Sequence, residues 1–211
     1  MMVSEESPRE IRLRGDLQLV ADLVEPGTRV LDVGCRDGEL LHYLEDYKNV
    51  DARGVEIDDT SVRKCVSHGL SVIQGDADTD LSDYPSNAFD CVVLTQTLQT
   101  VHSPKTVLEE LMRIGDRAIV SFPNFGHWRV RCGLIGGGRM PVTKAFMQPW
   151  YETANIHVCT FRDFEDLCRT LDIIVRRRIV ANHQGQRRIL AAIKPLANLF
   201  GEIGIFLLEK K

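Results

Sequence analysis

Three carboxylates close three successive apolar runs, and a glycine loop follows the first of them. Asp32 lies in the run Arg-Val-Leu-Asp-Val at 29–33, which passes into Gly34-Cys35-Arg36-Asp37-Gly38 and then into a helical pattern beginning at Glu39. A strand–loop–helix unit of this kind offers a ligand two things: glycines that let it approach the backbone, and the positive end of a helix. Dinucleotide sites use the same physics but need three glycines in Gly-x-Gly-x-x-Gly. Here the spacing is Asp-x-Gly-x-x-x-Gly, with the acid on the strand. That acid would repel a pyrophosphate and suits an ammonium group, which points to S-adenosylmethionine as the cofactor. Glu56, in Gly-Val-Glu-Ile-Asp at 54–58, stands 22 residues beyond Gly34. This is near the spacing at which a carboxylate takes ribose hydroxyls at the tip of the next parallel strand. Asp76 ends a third run at 70–76.

The elements that must hold these acids alternate along the chain. Strands are predicted at 29–33, 52–57, 71–74, 89–94 and 117–122, and helices at 39–46, 60–68 and 104–114. The last helix opens with Ser103 as N-cap and Pro104 at its first position. Residues 1–14 read as a polar tail, and Leu17, Leu19, Val20, Leu23 and Val24 as a helix stopped by Pro26-Gly27. Nearly unbroken apolar strands separated by helices argue for an α/β fold, a doubly wound and mostly parallel sheet covered on both faces. Residues 123–159 break the alternation with proline, glycine and both tryptophans, and read as an insertion or lid within a single domain spanning 1–211. Thr160-Phe161-Arg162-Asp163 reads as a capping box for a helix at 162–171. Strands at 172–179 and 203–208 close the chain. The irregular stretch between them shows no clear crossover helix, so an antiparallel pair at the sheet edge is expected.

Bulk properties exclude several function classes. A net charge of −4 argues against a nucleic-acid partner, which calls for a basic excess. The six cysteines contain no Cys-x-x-Cys, and the six histidines lack ligand spacing, so reduced thiols and no metal are expected. Met1 to Asp16 carries no apolar core of a signal peptide, and no apolar run reaches membrane-spanning length, so no membrane partner is expected.

Long strings then carry a resemblance. Gly-Val-Glu-Ile-Asp at 54–58, Thr-Gln-Thr-Leu-Gln at 95–99, Phe-Pro-Asn-Phe-Gly-His-Trp-Arg at 122–129, Gly-Arg-Met-Pro-Val-Thr-Lys at 138–144 and Trp-Tyr-Glu-Thr-Ala-Asn-Ile-His at 150–157 resemble the bacterial methionine-biosynthesis protein W (MetW) family. The resemblance implies a seven-stranded class I methyltransferase fold with an antiparallel last strand and a bacterial cytoplasmic setting. It also implies S-adenosylmethionine as ligand and a homoserine O-acyltransferase (acetyl- or succinyltransferase) as partner. Carried over residue by residue, the ligand pocket comprises Asp32, Gly34, Cys35 and Gly38 of the first loop, Glu56 with Ile57 for the ribose, Asp76 and Ala77 for the adenine, and Gln96 after the fourth strand. One position departs. Arg36 stands where the family usually has glycine, and its side chain would either crowd the methionine end of the ligand or pair with that end's carboxylate.

His127 is a candidate general base or acceptor-pocket wall, against simple packing of the lid. Tyr151 is a candidate pocket cover, against the same alternative. Asn124 follows Pro123 in an order unlike the Asn-Pro-Pro-aromatic motif of amine-methylating enzymes, and His157 reads as a structural histidine. Arg176-Arg177-Arg178 reads as a charged strand edge or, with Arg187-Arg188, as a docking patch for an acidic partner. Two functions follow. The first is an S-adenosylmethionine-binding methyltransferase-like protein acting with the acyltransferase; the alternative is an active small-molecule methyltransferase. A nucleic-acid methyltransferase is disfavoured by charge.

Overall fold

Each of the seven predicted strands becomes a strand of one sheet. The computed structural model describes residues 13–187 and 194–211; residues 1–12 of the polar tail and Arg188 lie outside them. The strands are β1 Arg29–Val33, β2 Asp51–Glu56, β3 Ser71–Gln74, β4 Phe89–Thr95, β5 Gly115–Pro123, β6 Ile173–Ala181 and β7 Ile203–Lys210. Their spatial order is β3-β2-β1-β4-β5-β7-β6. Neighbours from β3 to β5 pair in parallel, and β7 runs antiparallel to both β5 and β6. The order reverses between β1 and β4. In open α/β sheets a ligand crevice lies outside the carboxyl ends of the strands at such a reversal.

Helices α1 Gly15–Ala21, α2 Glu39–Lys48, α3 Asp59–Ser67, α4 Pro104–Ile114, α5 Trp128–Gly137, α6 Phe161–Thr170 and α7 Lys194–Phe200 complete the order. Successive strand residues point to opposite faces, and two cores result. Leu31, Leu94, Val120 and Phe122 join Leu108, Leu111, Phe161 and Phe164 on one face. Val30, Val93 and Ile119 join Leu17, Val20, Leu41 and Leu44 on the other. Both faces are covered, so the strands need apolar residues at nearly every position; four of the five residues of β1 are buried. Phe122 stacks on Phe206 with centroids 5.4 Å apart, and Phe161 meets Phe206 edge-on at 5.7 Å. These rings lock the antiparallel strand and α6 onto the parallel part of the sheet.

Three local outcomes differ from, or sharpen, the sequence reading. The Thr160 capping box forms in full: Asp163 N–H donates to Thr160 Oγ1 at 3.3 Å, and Thr160 N–H donates to Asp163 Oδ2 at 2.9 Å. Ser103 occupies the N-cap position of α4 without a side-chain cap bond. Asp78, from the β3–β4 connection, accepts the N–H groups of His102 and Ser103 just ahead of the helix, both at 2.8 Å. The β6–β7 connection, expected to lack a helix, contains α7. Asn198 of that helix accepts the Phe161 N–H at 3.1 Å, a contact 37 positions distant that no local pattern announces. β6 is an edge strand with a register shift between Val175 and Arg177, and Arg176 and Arg178 pair with Glu209 and Glu165. A charged, irregular edge discourages further pairing.

Gly38 caps α2 in the left-handed region at φ 75°, and an added Cβ there would press on Leu70 and come within 3.0 Å of Cys65 Sγ. Gly38→Ala should therefore lose about 2 kcal/mol of stability. Urea unfolding with an unchanged midpoint would show that the loop adapts freely.

Candidate functional site

The carboxyl ends of β1, β2 and β3 carry the three strand-end acids: Asp32 lines one cavity, Asp76 lines another, and Glu56 lines both. Asp32 is only 1% exposed, and its Oδ1 has no hydrogen-bond partner. Burial first, and the neighbouring Glu56 charge second, push its carboxyl from an ordinary 3.8 up to about 7. An unsatisfied buried acceptor costs about 1–3 kcal/mol, so its persistence needs a reason. The reason offered by the geometry is a cavity of about 530 Å³ that Asp32 lines with Cys35, Arg36 and, from the N-cap position of α1, Arg14.

Glu56 is held from two directions. Its Oε2 accepts the Arg36 N–H at 2.8 Å and its Oε1 accepts the Asp58 N–H at 3.0 Å. A carboxylate has about four lone-pair sites, so capacity remains for ligand hydroxyls. Glu56 also lines a second cavity of about 330 Å³, together with Ile57, Asp76, Ala77 and Gln96. The two cavities share Gly34, Arg36 and Glu56. Gly34 has φ 77°, and a Cβ there would stand 2.5 Å from Thr97 Oγ1, so the backbone itself forms the wall. Asp76 Oδ1 accepts the Asp78 N–H at 2.9 Å, which fixes its orientation.

Gln96 is also in the left-handed region, at φ 51°. Its N–H donates to the Ser121 carbonyl at 2.8 Å, and its side chain donates to Asp16 Oδ2 at 2.7 Å. Asp16 is buried and also takes the Arg14 guanidinium at 2.6 Å. This chain of bonds pins α1 against the crevice. Eight of the nine expected ligand residues thus line the two cavities. Gly38 does not; it packs beneath the loop and shapes it. Arg14, Thr97, Thr100 and Ala154 also line the cavities, and no sequence spacing announced them.

The catalytic candidates lie elsewhere. His127 is buried at the N-cap of α5, where its Nδ1 accepts the Arg129 N–H at 3.3 Å, and it shares a small cleft with Asn124 and Glu202. Tyr151 is 69% exposed and packs edge-on to Trp150. Neither lines the two cavities. Asn124 is saturated: it donates to the carbonyls of Asn198 and Gly201 and accepts the Gly126 N–H. His157 Nε2 lies 3.2 Å from the His102 carbonyl, the structural bond expected of it. A larger cavity of about 660 Å³ lies at the opposite edge of the sheet, where β1 to β4 begin, and includes none of the strand-end acids.

The family model described as methionine biosynthesis protein MetW matches residues 14–208. The chain belongs to the MetW family. A bifunctional methionine biosynthesis protein MetXA/MetW from Rhodopirellula baltica is 30% identical over 190 residues, covering 85% of this chain and 30% of that protein. The chain therefore spans under a third of that MetW relative's length. A solved S-adenosylmethionine-dependent methyltransferase from Thermotoga maritima, titled a possible histamine N-methyltransferase, shares 18% identity at TM-score 0.65, covering 93% of this chain and 88% of that one. Another from Archaeoglobus fulgidus shares 14% at TM-score 0.64, covering 93% and 96%. The [4+2]-cyclase SpnF shares 17% at TM-score 0.64, covering 92% and 79%. These likenesses show the Rossmann-like methyltransferase fold of this MetW-family chain. The cyclase shows that such a fold leaves the reaction open.

The Asp32 carboxyl has a stability signature. Between pH 4 and 7 the folded chain holds a proton that the unfolded chain has released, so stability falls as pH rises through that window. Asp32→Asn removes this penalty while Glu56, Asp37, Asp58 and Glu39 around the same cavity stay in place. The ligand-free variant should match the parent at pH 4 and exceed it at pH 8 by on the order of 2–4 kcal/mol. Urea midpoints that differ equally at both pH values would contradict the raised carboxyl.

Proposed function

We propose that the chain binds S-adenosylmethionine across the two joined cavities and acts with a homoserine O-acyltransferase in methionine biosynthesis. The observation that carries the ligand half is the unpartnered Asp32 oxygen at one end of a crevice whose middle is Glu56. The donor set suits the ligand: Asp32 for the α-ammonium, Glu56 for the ribose hydroxyls, Asp76 and Ala77 for the adenine, and Gly34 where the ligand passes close to backbone. When bound, the ligand supplies an electrophilic methyl group and, as a downstream product of methionine, a measure of supply.

The partner half rests on surface and kinship. Within residues 128–158, Ile135 is 87% exposed, Met147 79%, Trp150 71% and Val142 61%. Aromatic residues and Met are enriched in the cores of protein interfaces. The MetXA/MetW relative joins two methionine-biosynthesis functions in one protein. This segment is physically linked to the crevice: Ala154 lines the second cavity, and the N–H groups of Ile156 and His157 donate to the Gln99 carbonyl at 2.9 and 3.0 Å. A ligand that favours one arrangement of this strap changes partner affinity, and the partner changes ligand affinity by the same factor. The setting of such a pair is the bacterial cytoplasm; among the described residues no helix is long and apolar enough to cross a membrane.

Glu56→Ala should weaken S-adenosylmethionine binding by about tenfold or more, because each hydrogen bond to a charged acceptor is worth roughly 1.5–3 kcal/mol. Unchanged affinity in calorimetry would remove the ligand assignment. Trp150→Ala should lower acyltransferase affinity by about 2 kcal/mol, as for an anchoring aromatic. If the unmodified chain fails to capture purified acyltransferase at micromolar concentration, with and without the ligand, the partner reading falls. A stand-alone methyltransferase is then the function to test.

A further inference from the structure

Arg36 is unlike the other cations around the crevice. Arg14 is occupied by Asp16 through two bonds, at 2.6 and 3.1 Å. Lys64 outside the loop is occupied by Asp37. The Arg36 backbone is fixed at both ends, its N–H on Glu56 at 2.8 Å and its carbonyl accepting from Cys65 Sγ at 3.1 Å. Its guanidinium is exposed and, among the described residues, has no hydrogen-bond or ion-pair partner. It lines both cavities where they meet. The residue sits at φ 50°, a left-handed conformation that disfavours a side chain. The loop thus retains a strained, unpaired cation over a cavity whose other charges are mostly acidic.

The complement of that arrangement is a zwitterion. The buried Asp32 Oδ1 lacks a donor, and the Arg36 guanidinium lacks an acceptor, and both line the same cavity of about 530 Å³. Asp37, Asp58 and Glu56 are already engaged by Lys64, by the Ser61 N–H and by the loop N–H groups. An α-amino-acid group satisfies both orphans at once, its ammonium on Asp32 and its carboxylate in the fork of Arg36, which matches carboxylate geometry. We propose that Arg36 is a specificity-determining residue that reads the α-carboxylate of the ligand, so that the chain selects adenosyl sulfonium and thioether ligands with an intact amino-acid end over those that lack it. This rests on the cofactor reading above. Glycine at this position would relieve the backbone and remove the reader.

The test is calorimetric binding of S-adenosylhomocysteine and of 5′-methylthioadenosine, which lacks the amino-acid end, to the parent chain, Arg36→Gly and Glu56→Ala. Arg36→Gly should lose about tenfold or more for S-adenosylhomocysteine, the scale of a charge-assisted pair, and stay within about twofold for methylthioadenosine. The same variant should unfold at a higher urea concentration than the parent, because the strain is gone. Glu56→Ala should weaken both ligands alike, since both carry the ribose. Equal losses for both ligands in Arg36→Gly would make Arg36 a loop-shaping residue only, and tighter S-adenosylhomocysteine binding would make it an obstruction; either overturns the inference and leaves the cofactor reading intact. A parent chain that binds neither ligand overturns both.

Discussion

Glu56 ties the loop after β1 to the loop after β2, and the site depends on that tie. One oxygen holds the Arg36 N–H and the other holds the Asp58 N–H. The first bond holds the backbone of Arg36, which is in a left-handed conformation between Gly34 and Gly38, both also at positive φ. The second starts α3, whose N-cap is Asp58. The same carboxylate stands close enough to Asp32 to raise its pKa further above what burial alone gives. Two cavities then meet at Glu56, so the residue that organises the loops is also the one both halves of a ligand would pass.

The rest of the molecule is locally consistent. Strand interiors are apolar, α6 has a complete capping box, and the exposed edge β6 is irregular and charged. Several costly features meet at the crevice: an orphaned buried carboxyl oxygen, Arg36 at φ 50°, Gln96 at φ 51°, and an unpaired guanidinium; Asn49, Asn87 and Asp172, also at positive φ, are of the types that tolerate it in turns. Stable folds tolerate such features mainly where a function uses them. The second anomaly is the apolar surface of residues 128–158, which shares its strap with the crevice. Its contact with the crevice is what the proposed coupling between ligand and partner would use.

Much of this was legible in the chain because the parallel sheet writes its burial into the sequence. β3 and α4 were bounded correctly because their ends carry strong signals, and Asp32, Glu56 and Asp76 were placed by the strand–helix repeat. Nonlocal contacts were not legible. Ser103 sits in a capping position without a side-chain cap bond, and its own N–H is held by Asp78 from another connection. α7 is short and held by Asn198 on the distant Phe161. Arg14 and Ala154 reach the crevice from elements far from the glycine loop in sequence. His127 follows a strand end, and its Nδ1 accepts the Arg129 N–H at the start of α5, a local bond that the strand–helix repeat does not announce.

The most direct measurement follows the proton on Asp32. An ammonium group seated on that carboxyl requires it to be ionised, so a group with a pKa of about 7 must release its proton on binding. Calorimetry of S-adenosylhomocysteine at pH 7 in buffers of different ionisation enthalpy should show release of about half a proton per ligand, and none with Asp32→Asn. Tight binding with no proton exchange in the parent chain would mean that the ligand does not seat its ammonium on Asp32, and the crevice would need another occupant.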